Sequence, residues 1–195
     1  MTGFDFTRPI NFENKRARLA PLEITNIGDL QAIALEEVSL LQYSPSEIHL
    51  EEKLRQYVET AIEGKQKKIR YPLIIFDKLK GQYAGSTSFG NVSNKDLRLE
   101  IGWTWIGKNF QGTGLNQACK HLMLEYTFDT LSFERVEFKI DSRNLQSRRA
   151  VEKIGGIYEG ELRSHTVMSD GFRRNTVYYS ILKKEWPQIK GRLLT

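Results

Sequence analysis

Gln111, Gly112, Thr113 and Gly114 form a short glycine-bearing loop between two strongly patterned segments. Before the loop, Leu97 to Ile106 alternates apolar and polar residues and is rich in Ile and Trp, the pattern of a strand. After it, Leu115, Ala118, Cys119, Leu122, Met123 and Tyr126 recur at helical spacing on one face. A helix opening from such a turn presents backbone N–H groups that have no acceptor inside the helix, and its macrodipole adds partial positive charge there. Glycine lets the backbone approach an anion with no Cβ in the way. The stretch 111–116 therefore reads as a cradle for a phosphate-bearing ligand.

Other chemistries find less support. His49, His121 and His165 are far apart, with no Cys or His at ligand spacing, so no metal site is expected. There is no Gly-x-Ser-x-Gly elbow of a hydrolase. Gly112-x-Gly114 comes midway along the chain without a third glycine, which argues against a dinucleotide fold. The single cysteine, Cys119, sits on the apolar helix face. That makes it a poor covalent carrier and fits a reducing cytoplasm.

The elements that would position the loop can be read in order. Residues 1–14 form an irregular arm without the apolar core of a signal peptide. Lys15 to Ile24 is a strand, and Asn26 or Asp29 caps a helix running to about Leu40. A second helix, Glu47 to Glu63, buries Leu50, Leu54, Val58, Ala61 and Ile62 and ends at Gly64. Arg70 to Asp77 and Gln82 to Asn91 make an antiparallel hairpin. Beyond the loop and its helix, Arg135 to Ile140 is a strand and Leu145 to Ile154 a helix stopped by Gly155-Gly156. Two long strands, Ile157 to Thr166 and Asn175 to Lys183, follow, joined near Ser169-Asp170-Gly171. A terminal helix covers Glu185 to Leu194. The strand, helix and strand between 97 and 140 form a crossover unit, so those two strands should be parallel.

This order of elements, with Gln-x-x-Gly at 111–114, resembles the GCN5-related N-acetyltransferase superfamily. The run from Asp141 to Gly155, with Asn144, Ser147 and Glu152-Lys153-Ile154-Gly155, is similar to its ribosomal-protein N-terminal acetyltransferase branch, as are Glu159 to Arg163 and Gly171 to Ile181. The resemblance covers residues 15–187, one N-acetyltransferase domain, with 188–195 as a tail or helix end. It implies an α/β (α+β) fold: a mixed, mostly antiparallel, twisted sheet of about seven strands, splayed like a V and flanked by about four or five helices.

The resemblance also implies acetyl-CoA as co-substrate, no metal, and an amine acceptor, either a protein N-terminus or a small molecule. Trp103, Thr104, Trp105 and Ile106 would hold the acetyl and pantetheine arm. Gln111, Gly112, Thr113, Gly114, Leu115 and Asn116 would hold the pyrophosphate, and Asn144 the pantetheine amides. Ser147 would lie near the thiol as general acid, and Glu100 would be the base that deprotonates the amine. The opposite parity of Leu99, Ile101 and Trp103 leaves a solvent-facing Glu100 as the alternative. The superfamily's acid tyrosine is replaced by Val151, which leaves Tyr158, Tyr178 and Tyr179 as substitutes. Asn116 departs from the small residue of the family loop, and Gly156 replaces a frequent phenylalanine. Acceptor choice falls to the helices of 26–65 and the turn at 166–175.

At 195 residues the chain suits one domain, and no apolar run approaches the ~20 residues of a membrane span. A net charge of +5 suits an anionic ligand. Arg143, Arg148, Arg149 and Lys108 are candidates for the coenzyme's 3′-phosphate, while 65–70 reads as solvated surface. The expected protein is a cytoplasmic monomer or homodimer that does not bind membranes and meets nucleic acid only through a ribosomal substrate. Two rival readings remain: a non-catalytic acyl-CoA-binding regulatory domain, and a basic module associated with RNA or the ribosome.

Overall fold

The computed structural model describes residues 3–193. Its first strands are β1 (Phe12–Glu13), β2 (Ala17–Pro21), β3 (Arg70–Asp77), β4 (Gln82–Ser93) and β5 (Arg98–Ile106). They are followed by β6 (Arg135–Asp141), β7 (Ile157–Val167) and β8 (Arg173–Leu182). All eight join one sheet in the order β1-β2-β3-β4-β5-β6-β8-β7. Neighbours are antiparallel except β5 and β6, which are parallel as the crossover requires.

The helices are α1 (Ile27–Glu36), α2 (Glu51–Gln66), α3 (Leu115–Glu125), α4 (Leu145–Lys153) and α5 (Trp186–Leu193). Leu30 and Ala34 of α1 and Leu54, Tyr57, Val58 and Ala61 of α2 cover one face of the sheet, meeting Ile74 and Trp105. Leu115, Cys119, Leu122 and Met123 of α3, Val151 of α4 and Ile189 of α5 cover the other, meeting Leu73, Leu99, Ile101 and Val136. With both faces covered, β3 is buried along almost its whole length, which is why RYPLIIFD shows no alternation.

Several boundaries differ from expectation. The arm is not irregular throughout. Phe4 and Ile10 are buried, β1 pairs with β2, and Phe4 and Phe12 pack against Phe89 and Tyr126. Burial of its aromatic side chains holds the arm down. The first strand is shorter than 15–24. The first helix stops at Glu36, before a separate single turn at Val38–Leu41. Helix α2 starts at Glu51 and runs through Gly64, so that glycine does not end it. A Cβ at Gly64 would lie 3.3 Å from Arg70 Cβ, so the glycine serves close packing against the start of β3. The chain reverses instead at Lys68, with φ of 57°. The expected last helical residue, Leu194, and the tail's end at 194–195 lie outside the described residues.

Gly85 makes a sharp demand on the sheet. Its φ is +149°, and a Cβ there would lie 2.1 Å from the carbonyl oxygen of Trp105, a backbone atom that has nowhere to go. At Gly81, with φ of +66°, nothing lies within 4 Å. Gly85→Ala should therefore lower unfolding free energy by about 3 kcal/mol or more, and Gly81→Ala by about 1 kcal/mol. Urea midpoints at constant m-value check this. Equal losses would show that backbone contact at Gly85 is not the deciding factor.

Candidate functional site

The site begins where the sheet comes apart. Strands β5 and β6 pair only through Arg98–Arg135, Leu99–Val136 and Glu100–Glu137. Beyond Glu100, β5 continues to Ile106, and beyond Glu137, β6 continues to Asp141, without pairing to each other. The outer edge of β6 stays paired to β8 as far as Asp141–Thr176, so the gap lies on the β5 side alone. Residues 101–106 thus present a parted strand edge, an open template of N–H and C=O groups.

A bulge sharpens the opening. Ser88 pairs with Gly102 and Ser86 with Trp105, so Trp103 and Thr104 together oppose Thr87. Trp103 takes φ of 49° to make the turn. Such bulges re-aim side chains and backbone N–H groups. The bulge also resets parity: Leu99 and Ile101 face α3, whereas Trp105 faces α1 and α2.

At the far end lies the glycine loop. Gly112 and Gly114 have φ of +71° and +85°, and a Cβ at either would meet nothing within 4 Å, so the loop surface is open. The first bond of α3 runs from Ala118 N–H to Gly114 O, leaving the N–H groups of Leu115, Asn116 and Gln117 without intrahelical acceptors. Thr113 donates to Phe110 O (2.7 Å) and accepts from Arg16, which also pairs with buried Asp77. Gln111 donates to Ile106 O (2.9 Å), joining the loop to the end of β5. These donors and the open loop fit a pyrophosphate. Asn116 is half-buried, and its Oδ1 is buried without a hydrogen-bond partner among the described residues.

Helix α4 closes the second side. Asn144 caps it, Oδ1 accepting from Ser147 N–H at 3.0 Å, which leaves its NH2 group free to donate elsewhere. Ser147, half-buried in the first turn, is placed by that cap. Gln146 donates to Gln111 Oε1 (2.9 Å), tying α4 to the loop. Of the basic candidates, Arg148 is held by Tyr179 and Ser142 O, Arg143 by Asp141, and Lys108 by Glu37. Arg149 is exposed.

Glu100 does not face solvent: it is only 6% exposed. Its Oε2 accepts from Asn91 Nδ2 at 2.6 Å and lies 2.8 Å from Lys139 Nζ. Its Oε1 sits 2.8 Å from where a Cβ on Gly102 would stand, beside the bulge, so a side chain at 102 would displace it. Of the tyrosines, Tyr179 is fully buried and donates to Glu152, and Tyr158 meets its ring edge-on. Tyr178 is half-buried with Lys139, the ion-pair partner of Glu100, over its ring at 5.5 Å. Cys119 is buried and its thiol is pushed up to about 12 by desolvation, which suits no nucleophile. The two segments expected to choose the acceptor meet each other. Arg174 donates to Tyr43 O at 3.0 Å, and the Arg143 guanidinium stacks on Phe172 (4.0 Å) and Tyr43 (5.6 Å).

Sequence reasoning missed two cations beside the bulge. Arg70, 6% exposed, bonds Ser88 Oγ and Tyr57 OH and lies between the rings of Tyr57 (4.9 Å) and Trp103 (5.2 Å). Lys120, 5% exposed, donates to Thr104 Oγ1 at 2.7 Å from the opposite face. Neither has an ion-pair partner within 4 Å among the described residues. Among those residues, too, no three His, Cys, Asp or Glu gather as a metal would require, and no helix is long and apolar enough to cross a membrane.

Comparison with known proteins gives this geometry a context. Residues 16–157 match the family model described as an acetyltransferase (GNAT) domain. Over 106 residues the chain is 35% identical to "Putative ribosomal N-acetyltransferase YdaF" of Bacillus subtilis (strain 168), covering 54% of this chain and 57% of that protein. It is 26% identical over 150 residues to "Uncharacterized N-acetyltransferase YnaD" of the same organism, covering 76% of this chain and 83% of the relative. The crystal structure of a GCN5-related N-acetyltransferase from Brucella melitensis shares the fold, with a TM-score of 0.89 at 24% identity over 100% of this chain and 88% of that one.

Desolvation pushes Lys120 down to about 8 from 10.5. Its proton is thus held less tightly in the folded than in the unfolded chain. Below pH 8 both states are charged and burial costs stability. Between pH 8 and 10.5 the unfolded state binds more protons, so the Lys120 contribution rises with pH. Measured against Lys120→Met, wild-type stability should gain on the order of 3 kcal/mol between pH 7 and pH 10.5. Urea titrations of both proteins at the two pH values check the sign.

Proposed function

The chain belongs to the GNAT acetyltransferase family, and on that premise we propose an acetyl-CoA-dependent N-acetyltransferase that passes the acetyl group directly to a primary amine in a ternary complex. One observation carries the reading. The sheet parts immediately beyond Glu100, and the parted edge of β5 leads through a single turn at Lys108–Phe110 to the open glycine loop. A strand edge, a bulge and a helix start in that order suit a long ligand with a reactive end and an anionic end.

Acetyl-CoA would bring an activated acyl group as its thioester. The backbone groups of Trp103 to Ile106 would hold its pantetheine arm as an added strand is held, and the Asn144 NH2 would donate to it. The N–H groups between Gly112 and Asn116, with Gln111 and Thr113 shaping the loop, would take the pyrophosphate, Leu115 anchoring the helix start in the core. N–H groups aimed into the gap at the bulge would stabilise the developing oxyanion.

Glu100 is assigned as general base. A carboxylate paired with Lys139 and hydrogen-bonded by Asn91, with Oε1 beside the bulge, can take the ammonium proton directly or through a water. Ser147 is assigned to protonate the departing sulfur. The acceptor, a protein N-terminus or a small amine, would enter beside Tyr43, Phe172 and Arg174, where the selecting segments meet. The name of the B. subtilis relative supports a ribosomal acceptor.

Acetyl-CoA at about 100 times its Kd should stabilise the protein by about 2.7 kcal/mol, read as a rise in Tm, and an unchanged Tm would rule out the coenzyme. With a panel of peptides and small amines, Glu100→Gln should lower kcat about 10²–10⁴-fold and flatten the acid limb of the pH profile, as thiol release reports. A pH profile identical to wild type would remove Glu100 from the base role.

A further inference from the structure

Lys120 has no part in the chemistry assigned above, yet its surroundings are those of an incomplete site. Its ammonium carries three N–H donors. Two reach hydroxyls, Thr104 Oγ1 at 2.7 Å and Thr87 Oγ1 at 3.3 Å, and those hydroxyls lie 2.7 Å from each other. The third has no acceptor among the described residues. Both threonines belong to the bulge, where Trp103 and Thr104 oppose Thr87. The groups facing Nζ are therefore the Thr87 hydroxyl from β4, the Thr104 hydroxyl from β5 and, from α3 itself, the Cys119 thiol. Cys119 stays neutral, because burial pushes it up to about 12.

A buried ammonium is ordinarily retained beside a carboxylate. Here the strands supply two hydroxyls, one of them on β5, the strand that lines the parted edge. Lys120 also sits five residues after Leu115, about 7.5 Å along the helix axis from the open anion cradle. An anion on the cradle would act on Lys120 through the packed helix and the bulge, where water screens little.

Resting on the reading of residues 111–116 as the pyrophosphate site, we propose that Lys120 is the internal counter-charge of the coenzyme, and that acetyl-CoA binding is coupled to proton uptake at its Nζ. The coupling is reciprocal: bound anion favours the ammonium, and the ammonium favours bound anion. It makes Lys120 a positioning residue, acting on the bulge through Thr87 and Thr104. It also explains why a cation stands there without a protein acid.

The test is isothermal titration of the full chain with acetyl-CoA at pH 8, in Tris and in HEPES, buffers whose ionisation enthalpies differ. Free protein at this pH is about half protonated at Lys120, so binding should take up about half a proton. The coenzyme's own phosphate titrates near pH 6 and contributes little. Lys120→Arg, which keeps its charge at every pH used, should bind with equal heats in both buffers. Lys120→Met should also show equal heats and bind about tenfold more weakly. Equal heats for the wild type, with coenzyme still binding, would overturn the counter-charge while leaving the site reading intact. So would proton uptake that persists in Lys120→Arg. A wild type that binds no acetyl-CoA would overturn the site reading and this inference with it.

Discussion

The structure turns on a pairing that stops. Two parallel strands, β5 and β6, form three register pairs and then part, although both continue. An exposed strand edge is normally a liability, and proteins cover it or twist it away. Here the edge is kept inside the molecule, flanked by α3 on one face and by α1 and α2 on the other. The bulge at Trp103 enforces the separation by setting two β5 residues against Thr87 and giving Trp103 a left-handed backbone. Gly85, Gly90 and Gly102 are its counterparts. Trp105 O, the Trp103 ring and Glu100 Oε1 occupy the space that side chains at those positions would fill.

Charge follows the same geometry. On the α1 and α2 face, Glu100 is paired with Lys139 and held by Asn91, which places a buried carboxylate at the mouth of the gap. Arg70 lies two strands away on the row Arg70–Gly90–Glu100, with the Trp103 ring over Gly90 between them. Arg70 is surrounded by aromatic faces, the Ser88 hydroxyl and the Tyr57 hydroxyl. Cations therefore stand on both faces of the bulge, while Glu100 and its register partner Glu137 both lie within ion-pair distance of Lys139. A site organised this way favours a ligand that arrives with negative charge or develops it during reaction.

The fold was legible wherever one periodicity ran unopposed. The 82–91 strand, the loop at 111–114, the 115–126 helix and the parallel relation of its flanking strands could all be read from pattern and turn chemistry. Ends set by tertiary contact were not. Gly64 carries the composition of a helix stop, but the start of β3 packs closely against it and the helix passes through. The N-terminal arm looked irregular because its aromatics have no period, although they bury together against Phe89 and Tyr126. In the site, Glu100 could be named but its burial could not, because the face opposite Leu99 and Ile101 is covered by α1 and α2 and not by solvent. Asn144 and Ser147 could be named from the family resemblance, whereas the cap between them emerged only in the structure.

Lys120 shows what a helical wheel leaves out. On the periodicity of 115–126 it flanks the apolar stripe and belongs in solvent, as most lysines do. The structure buries residues Cys119 to Leu124 without interruption, because α3 is wedged between the sheet, α5 and the N-terminal strands. A wedge of that kind leaves no polar face, so any charged residue in it needs a partner from outside the helix. Neighbouring strands give Lys120 two hydroxyls and no carboxylate. Hydroxyls solvate a cation without neutralising it, which leaves the ammonium free to answer to whatever charge enters the cradle at the head of its own helix.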